Sequence, residues 1–199
     1  MDINDLSKVN SLWRKIYPYL VSQIMVSYNR GSGSVLELGP FSGGISLELA
    51  RSYPGLKITI ADESFQVTEY LRQEIATLGF LDYIKVKITE LKHLIFKDSR
   101  FDLVIFRGAF FFLDQEGNML REIFRVLKED GMAFVGGGYG KDTPQELIDE
   151  IADESRVLNN RLGRKWSSIE DLEGMVKESE LSDKCKIEEE GGVWLNIRK

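Results

Sequence analysis

The 199-residue sequence contains one cysteine and one histidine, and it has no long run of apolar residues. A single cysteine, Cys185, can form neither an intramolecular disulfide nor a cysteine metal cluster, so we predict no disulfide and no bound metal. A membrane-spanning helix needs about 18 consecutive apolar residues, and no stretch approaches that length. The first ten residues are polar and partly acidic, unlike a secretory signal peptide. These absences predict a soluble, cytoplasmic protein.

Positive charge is also scarce, because 26 lysines and arginines stand against 32 acidic residues and leave a net charge of −6. A protein that neutralises the phosphates of a nucleic acid needs clustered basic residues. Here the basic residues are scattered, and the densest charge run, residues 188–190, is acidic. We therefore predict a small-molecule partner, with no nucleic acid and no membrane, and a monomer or a homodimer.

Short apolar or β-branched runs alternate with stretches that have helical periodicity. The runs predicted as strands are Ser34–Leu38, Lys57–Ala61, Ile84–Ile88, Phe101–Phe106 and Met132–Val135. Strands that alternate with helices predict βαβ units and a parallel sheet with right-handed crossovers.

Two further extended runs, residues 184–190 and 193–198, are separated by Gly191 and Gly192, a pair typical of a hairpin turn. The predicted fold class is therefore α/β. It is a doubly wound, seven-stranded, mostly parallel sheet with a C-terminal antiparallel hairpin and N-terminal helices.

Local signals place several helices and loops. Apolar residues repeat at helical spacing over Leu120–Leu127, and the following stretch to Gly131 predicts the end of that helix. Thr143 and Pro144 predict the start of another helix. Residues 159–161 together with Trp166 are interpreted as the end of that helix and its packing anchor.

The stretch from Gly136 to Gly140 contains four glycines around Tyr139, which predicts a loop that approaches a ligand or moves. A connection without a ligand is the alternative interpretation.

Residues 1–30 precede the first strand and are predicted to form two helices that break near Pro18. Together with a Rossmann-like core over residues 34–199 they would make a single domain. Trp13, Tyr17 and Tyr19 lie in this N-terminal segment. Two interpretations remain open: the segment is a packing element, or it is a lid whose aromatic side chains close over a bound cofactor.

The first predicted strand runs into the glycine-containing loop E-L-G-P-F-S-G-G, which starts at Glu37. A strand, a glycine loop and a helix in this order favour a ligand site at the carboxyl edge of a parallel sheet. Glycines at positions 39 and 43 let the backbone approach a ligand closely. The dinucleotide pattern G-x-G-x-x-G does not fit, because Phe41 occupies its middle position. An ordinary strand-to-helix turn is the alternative.

An acidic residue, Asp62, ends the second predicted strand, 25 residues after Glu37. At this place in the next βαβ unit a carboxylate can accept hydrogen bonds from both hydroxyls of a ribose. The alternative is that Asp62 caps the following helix, predicted over Phe65–Leu78, and both roles can hold together.

Together these segments resemble the class I S-adenosylmethionine-dependent methyltransferases. The loop E-L-G-P-F-S-G-G resembles motif I of that family, usually [DE]-x-G-x-G-x-G, with Phe41 in place of the middle glycine. Phe101–Val104 resembles the family's fourth strand, F-D-[LV]-[VI], and Arg125–Gly131 resembles R-V-L-K-P-G-G before the fifth. Thr89–Leu91 stands where the family commonly has G-D-A, with Glu90 in place of the aspartate.

The resemblance implies that the cofactor is S-adenosyl-L-methionine, with S-adenosyl-L-homocysteine as its product. Glu37 would organise the loop near the methionine amine, and Asp62 would bind the ribose. Glu63 and Leu91 would flank the adenine, whose amino group would donate to Glu90. Together with residues chosen for their own chemistry, the full set of predicted cofactor-binding residues is Tyr17, Glu37, Gly39, Phe41, Gly43, Asp62, Glu63, Glu90, Leu91 and Arg107.

Methyl transfer from a sulfonium is a direct in-line displacement, for which the protein mainly aligns the reactants. A general base is required only when the acceptor is protonated. The sequence offers no dedicated catalytic residue, and His93 is predicted to lie on the surface. Arg107 can bind a carboxylate of the cofactor or of the substrate, or form a structural ion pair. The candidates for the acceptor pocket are Trp13, Arg107, Phe111 and Tyr139.

The sequence thus predicts a methyltransferase that acts on a small molecule, with a partly aromatic or carboxylated metabolite as the best fit. Two alternatives are kept. One is a methyltransferase-like protein that binds the cofactor without turnover. The other is a nucleotide-dependent oxidoreductase, against which the missing G-x-G-x-x-G and the C-terminal hairpin argue.

Overall fold

The computed structural model describes residues 2–161 and 167–199, so the predicted packing anchor Trp166 lies outside the described residues. In the described residues, seven strands form one sheet: β1 Ser32–Leu38, β2 Gly55–Asp62, β3 Ile84–Ile88, β4 Phe101–Arg107, β5 Leu127–Gly138, β6 Cys185–Glu188 and β7 Gly192–Arg198. The helices are α1 Ile3–Leu12, α2 Tyr17–Tyr28, α3 Gly44–Ser52, α4 Phe65–Thr77, α5 Asn118–Val126, α6 Gln145–Arg161 and α7 Ile169–Glu178.

The strand order is β3-β2-β1-β4-β5-β7-β6, with β1 to β5 parallel and β7 antiparallel to both of its neighbours. This confirms the predicted fold class. From β1 the chain continues outward through β2 and β3, and it then returns to place β4 and β5 on the other side of β1. In sheets of this kind, ligands bind outside the carboxyl ends of the strands where the order reverses. That point lies between β1 and β4.

The strands near the centre of the sheet are buried on both faces, because helices cover both. Neighbouring residues such as Val35 and Leu36 on β1 point to opposite faces and belong to different core clusters. One cluster is covered by α1, α2, α3, α4 and α6, and the other by α5 and α7. The helix α7 is capped by Ser168, whose side chain accepts from the backbone N–H of Asp171. The sequence alone did not predict this helix.

The N-terminal segment has the two helices that were predicted. A 3₁₀ turn over Trp13–Lys15 separates α1 from α2, and Pro18 lies in the first turn of α2, where its missing N–H costs no helical hydrogen bond. Leu6, Val9 and Ile16 are buried in the same core cluster as the central strands. The segment is therefore part of the packed core, and whether it also opens as a lid stays a prediction.

The predicted helix end at residues 128–131 is wrong. The helix α5 ends at Val126, and Leu127 already begins β5 and pairs with Phe101 on β4. A register shift follows in that pairing, and Asp130 has a positive φ of 61°, so the strand is irregular at the residues that resemble a helix stop. Burial of Leu127 in the sheet outweighs the local helix signals.

The predicted loop at residues 136–138 is also wrong. These glycines continue β5 and pair with β7 over Gly192–Trp194. A Cβ at Gly136 would lie 2.9 Å from the Cα of Trp194, so glycine is needed for the close approach of β7. Only Tyr139 and Gly140 of the predicted loop follow the strand.

Within the described residues, no helix is both long enough and apolar enough to cross a membrane.

Candidate functional site

Backbone hydrogen bonds join the loops that follow the parallel strands. The N–H of Gly39 donates to the carbonyl of Ala61 over 2.9 Å, so the tips of β1 and β2 are in contact. On the other side, the N–H of Gly108 donates to the carbonyl of Gly136 over 2.6 Å and joins β4 to β5. The structure therefore brings the predicted cofactor and acceptor residues to one continuous edge of the sheet.

The carboxylate of Glu37 fixes the glycine loop against the start of α3. Glu37 is fully buried, and its Oε2 accepts from the backbone N–H of Gly43 and of Ser46, each over 3.0 Å, and from the Ser46 hydroxyl. Its other oxygen, Oε1, is buried without a partner in the described residues. Burial raises the pKa of Glu37 above its ordinary value, and these hydrogen bonds oppose the rise. The loop is thus held by one carboxylate oxygen while the other can accept from a ligand.

Phe41, in the position of the family's middle glycine, is packed inside the site. Its ring lies over Gly108, where a Cβ would come within 2.5 Å of the Phe41 Cδ2. The glycine that this loop lacks is thus matched by a glycine after β4, which makes room for the ring. The bulky side chain at this position is thus accommodated next to Gly108.

Asp62 is the last residue of β2, and its carboxylate is almost completely buried, with 4% of the residue exposed. Its Oδ1 accepts from the backbone N–H of Ser64 over 2.8 Å. The alternative assignment of Asp62 as a helix cap is wrong, because Ser64 caps α4. Burial raises the pKa of Asp62 from 3.8 to about 6.

The other residues predicted near the adenine lie beside Asp62. The side chain of Glu63 accepts from the backbone N–H of Leu91 over 2.7 Å, which ties the tip of β2 to the loop after β3. Leu91 is buried, whereas the side chain of Glu90 is exposed. Contact of these residues with an adenine stays a prediction. His93 is exposed, as predicted.

A cavity of about 280 Å³ opens on the β4–β5 side of the glycine loop. This volume is close to the lower end of the roughly 300–1,000 Å³ range typical of small-molecule pockets. The structure brings all four predicted acceptor-pocket candidates to its wall: Trp13, Arg107, Phe111 and Tyr139. Of the neighbouring phenylalanines, Phe110 packs into the core. The acceptor role of the four residues stays a prediction.

The N-terminal segment supplies one wall of this cavity. The indole of Trp13 stacks on the ring of Tyr139, with centroids 5.0 Å apart and planes inclined by 2°. Its Nε1 donates to the hydroxyl of Ser155 on α6 over 3.0 Å. The ring of Tyr17 covers Gly44 at the start of α3. Trp13 thus links the N-terminal segment to the loop after β5 and to α6.

Arg107, the last residue of β4, lies at the floor of the cavity and is 4% exposed. Its Nη2 donates to the carbonyl of Phe41 and to the hydroxyl of Tyr17, each over 3.2 Å. A longer bond of 3.5 Å reaches the Oδ1 of Asn10. The structural ion pair that was one prediction for Arg107 is absent from the described residues.

The helix α6 contributes to the cavity, and this contribution was not predicted from the sequence. Its lining residues are Ala152, Asp153, Ser155, Arg156, Asn159 and Asn160. Most of these positions recur three and four residues apart, which places them on one face of a helix. This periodicity of small and polar residues was a readable signal. The interpretation of residues 159–161 as only a helix end overlooked it. Among the described residues there is no group of three or more His, Cys, Asp or Glu that could hold a metal ion.

Comparison with known proteins gives three concordant results. Residues 36–135 match the family model described as a methyltransferase domain. The chain is similar to the ubiquinone/menaquinone biosynthesis C-methyltransferase of Desulfotalea psychrophila, with 32% identity over 51% of this chain and 39% of that protein. It is also similar to the malonyl-acyl-carrier-protein O-methyltransferase of Geobacter sulfurreducens, with 32% identity over 57% of this chain and 41% of that protein. The chain spans about two fifths of the length of these curated relatives.

Among solved structures, one from Methanococcus maripaludis resembles the whole fold. It is assigned as an S-adenosyl-L-methionine-dependent methyltransferase. The TM-score is 0.84 with 28% identity, over 98% of this chain and 90% of that protein.

Proposed function

Because the chain belongs to the methyltransferase-domain family, within the class I S-adenosylmethionine-dependent methyltransferases, we propose that it methylates a small molecule held in the cavity beside the glycine loop. The observation that carries this proposal is the position of the cavity. It is lined by Arg107 and Gly108 at the end of β4 and by Gly137–Tyr139 at the end of β5. Asp62 lies on the other side of β1, on β2. A cofactor held across β2 and β1 would therefore present one end to the cavity.

The residues present fit the family's cofactor, S-adenosyl-L-methionine. Oε1 of Glu37 is a buried acceptor without a partner, placed where the glycine loop would meet an ammonium group. The buried carboxylate of Asp62 has no cation within 4 Å in the described residues, so it can accept from two ribose hydroxyls. When bound, the cofactor supplies a methyl group already activated by the sulfonium charge.

In this proposal the chain's own residues orient the acceptor and exclude water. Trp13, Tyr139 and Phe111 provide apolar walls, and the α6 face provides hydroxyl and amide groups. Such alignment of two reactants can supply several kcal/mol of the barrier reduction. The relatives are named for a carbon and an oxygen methylation. This variety suits a fold that aligns the acceptor without a specialised base.

No group in the cavity is set up as a strong general base among the described residues. Burial raises the pKa of Tyr139, so its hydroxyl stays protonated at neutral pH. Asp153 forms an ion pair with Arg156, and its side chain is 86% exposed. We infer that the acceptor presents its nucleophile without assistance from a buried base.

The proposed function predicts a specific response to ligands. At about 100 times its dissociation constant, S-adenosyl-L-homocysteine is expected to raise the Tm by about 5–10 °C. NADH at the same concentration is expected to leave the Tm unchanged, because the loop lacks the dinucleotide pattern. Differential scanning calorimetry measures both. A shift with NADH alone would support the oxidoreductase alternative.

Turnover needs its own measurement. Protein incubated with methyl-labelled S-adenosyl-L-methionine and a metabolite extract is expected to transfer label to a small molecule. Binding of S-adenosyl-L-homocysteine without any labelled product would favour the alternative, a protein that binds the cofactor without turnover. Label found in nucleic acid or protein instead would contradict the small-molecule proposal.

The lid proposal for the N-terminal segment is tested by trypsin, because Arg14 and Lys15 lie in the 3₁₀ turn with side chains 64% and 60% exposed. A lid that closes over the cofactor would make cleavage after these residues at least about threefold slower when S-adenosyl-L-homocysteine is present. Cleavage after Lys186 on β6 is the internal control and is expected to respond less. If the ligand slows cleavage in the 3₁₀ turn and after Lys186 equally, or slows neither, the segment is only a packing element and not a lid.

The remaining expectations about partners are part of the same proposal. We propose a cytoplasmic protein that acts without nucleic acid or membrane as partner, in a monomeric or homodimeric state. The net charge of −6 supports the exclusion of nucleic acid.

A further inference from the structure

The floor of the cavity holds a positive charge that no carboxylate neutralises at contact distance. Within residues 2–161 and 167–199, no carboxylate oxygen lies within 4 Å of the Arg107 guanidinium. Glu37 is near enough to interact electrostatically, but its bonded oxygen is used by the backbone of the glycine loop and by Ser46. A buried charge is costly unless it is paired and hydrogen-bonded. Arg107 is therefore a candidate for binding an anionic ligand.

The hydrogen bonds of Arg107 leave most of its donors unused. Its three hydrogen bonds to the described residues all start from Nη2 and end on neutral acceptors. Nε is buried without a partner, although it carries a donor. A guanidinium has five N–H donors in a planar fork that matches a carboxylate. Its geometry thus favours a planar anion that enters from the cavity.

Aromatic rings hold the guanidinium in place. Its carbon lies 4.7 Å from the ring centroid of Trp13, 5.1 Å from that of Phe41 and 5.3 Å from that of Tyr17. These rings stabilise the charge and keep the side chain from turning toward solvent. The same cavity continues past Trp13 to Tyr139 and Phe111, so an anion on Arg107 would have apolar walls beside it.

The position of Arg107 relative to the predicted cofactor site favours the acceptor as the source of the anion. The cavity extends from Arg107 toward β5 and α6, away from Asp62 on β2. We propose that Arg107 binds a carboxylate of the methyl acceptor, so that the substrates of this site are small carboxylic acids with an apolar or aromatic body. This inference rests on the proposed function, because it takes the cavity as the acceptor pocket.

Benzoate and benzamide test the proposal, since they have the same shape and differ in charge. Calorimetry on wild-type protein saturated with S-adenosyl-L-homocysteine is expected to show benzoate binding at least about tenfold tighter than benzamide. Arg107→Met is expected to remove this preference. The affinity for benzoate should fall about tenfold or more, while the affinity for benzamide should change less than about threefold. The comparison of the two probes on the wild type needs no variant, so misfolding of the variant cannot hide the answer.

Arg156→Met is the matched control. Arg156 lines the same cavity, but its side chain is 71% exposed and paired with Asp153. Its replacement is expected to change benzoate affinity less than about threefold, because exposed ion pairs contribute little. A loss equal to that of Arg107→Met would show that the general charge of the cavity, and not Arg107, attracts the anion.

Two further results would overturn the proposal. One is equal binding, or no binding, of benzoate and benzamide on the wild type. The other is a tenfold loss of S-adenosyl-L-homocysteine affinity in Arg107→Met with unchanged benzoate affinity, which would assign Arg107 to the carboxylate of the cofactor. Failure of the proposed function has a different signature. In that case S-adenosyl-L-homocysteine does not bind, whereas benzoate still binds the ligand-free protein through Arg107.

Discussion

Asp62→Asn is expected to make the ligand-free protein more stable at pH 8. The same substitution is expected to weaken the binding of S-adenosyl-L-homocysteine. Burial raises the pKa of Asp62 from 3.8 to about 6, so the folded chain holds this proton more tightly than the unfolded chain does. The resulting stabilisation is complete below about pH 4 and is lost as the pH rises through 6. An asparagine carries no charge to bury and keeps the bond from Ser64. The free energy of unfolding at pH 8 should therefore rise by up to about 3 kcal/mol.

Cofactor affinity should move in the opposite direction. Ribose hydroxyls that donate to a carboxylate lose about 1–3 kcal/mol when the acceptor becomes neutral, which is about a tenfold to hundredfold weaker complex. In the wild type, affinity should also rise with pH through about 6, because the ionised form is the better acceptor. Urea unfolding at pH 5 and pH 8, with calorimetric titration, measures both effects.

Asp114→Asn provides a matched control of opposite sign. Asp114 is also buried, but backbone N–H groups of Asn118 and Met119 donate to it, and these bonds lower its pKa. Its replacement should reduce stability at pH 8 and leave cofactor affinity unchanged. If Asp62→Asn instead destabilises the protein as Asp114→Asn does, or binds the ligand normally, the ribose assignment of Asp62 is wrong.

Gly39→Val is expected to abolish detectable S-adenosyl-L-homocysteine binding and to lower the free energy of unfolding by about 2–5 kcal/mol. Gly39 has φ +88°, a conformation that a β-branched residue adopts only with strain. A Cβ there would also lie 2.6 Å from Cε2 of Phe106, which is fully buried. The effect thus combines backbone strain, a clash in the core and a blocked ligand approach.

Gly79→Val separates these contributions. Gly79 has a similar φ of +78°, but a Cβ there would have no neighbour within 4 Å. Its replacement should cost only the strain, about 1–3 kcal/mol, and leave cofactor binding intact. If the two substitutions destabilise the protein equally, the clash with Phe106 does not contribute to the effect of Gly39→Val. Normal binding by folded Gly39→Val would show that the glycine loop does not contact the ligand.

The fold was predictable where local pattern and burial agree. Runs such as Ile84–Ile88 are bounded by polar segments, and the structure has β3 at those residues. Prediction failed where tertiary pairing overrides a local signal. Residues 128–131 combine a basic residue and a glycine, as helix ends do, yet the buried Leu127 commits them to β5. Gly136 belongs to a glycine-rich stretch typical of loops, but it lies in β5, where the missing side chain leaves room for Trp194 of β7.

The candidate site was predictable where the motif itself carries the residue. Glu37 and Asp62 follow directly from strand ends in the sequence. The environment of Arg107 was not predictable, because it depends on rings contributed by separate parts of the chain, Trp13 and Phe41 among them. Asn10 accepts from Arg107, and no local pattern marks it. Contacts between distant segments become visible only when the sheet order is known.

The insertion of β7 between β5 and β6 constrains the order in which the protein can fold during synthesis. In the described part of the chain, every other strand is synthesised before Gly192–Arg198, and β5 precedes it by two helices and β6. Until then the outer edge of β5 has unpaired N–H and carbonyl groups, and β6 has no strand to pair with. An open edge of this kind can pair with the edge of another chain. The growing chain therefore passes through a stage in which one edge of its sheet can pair with another chain. This edge is covered when β7 pairs with β5 and Trp194 stacks on Phe134.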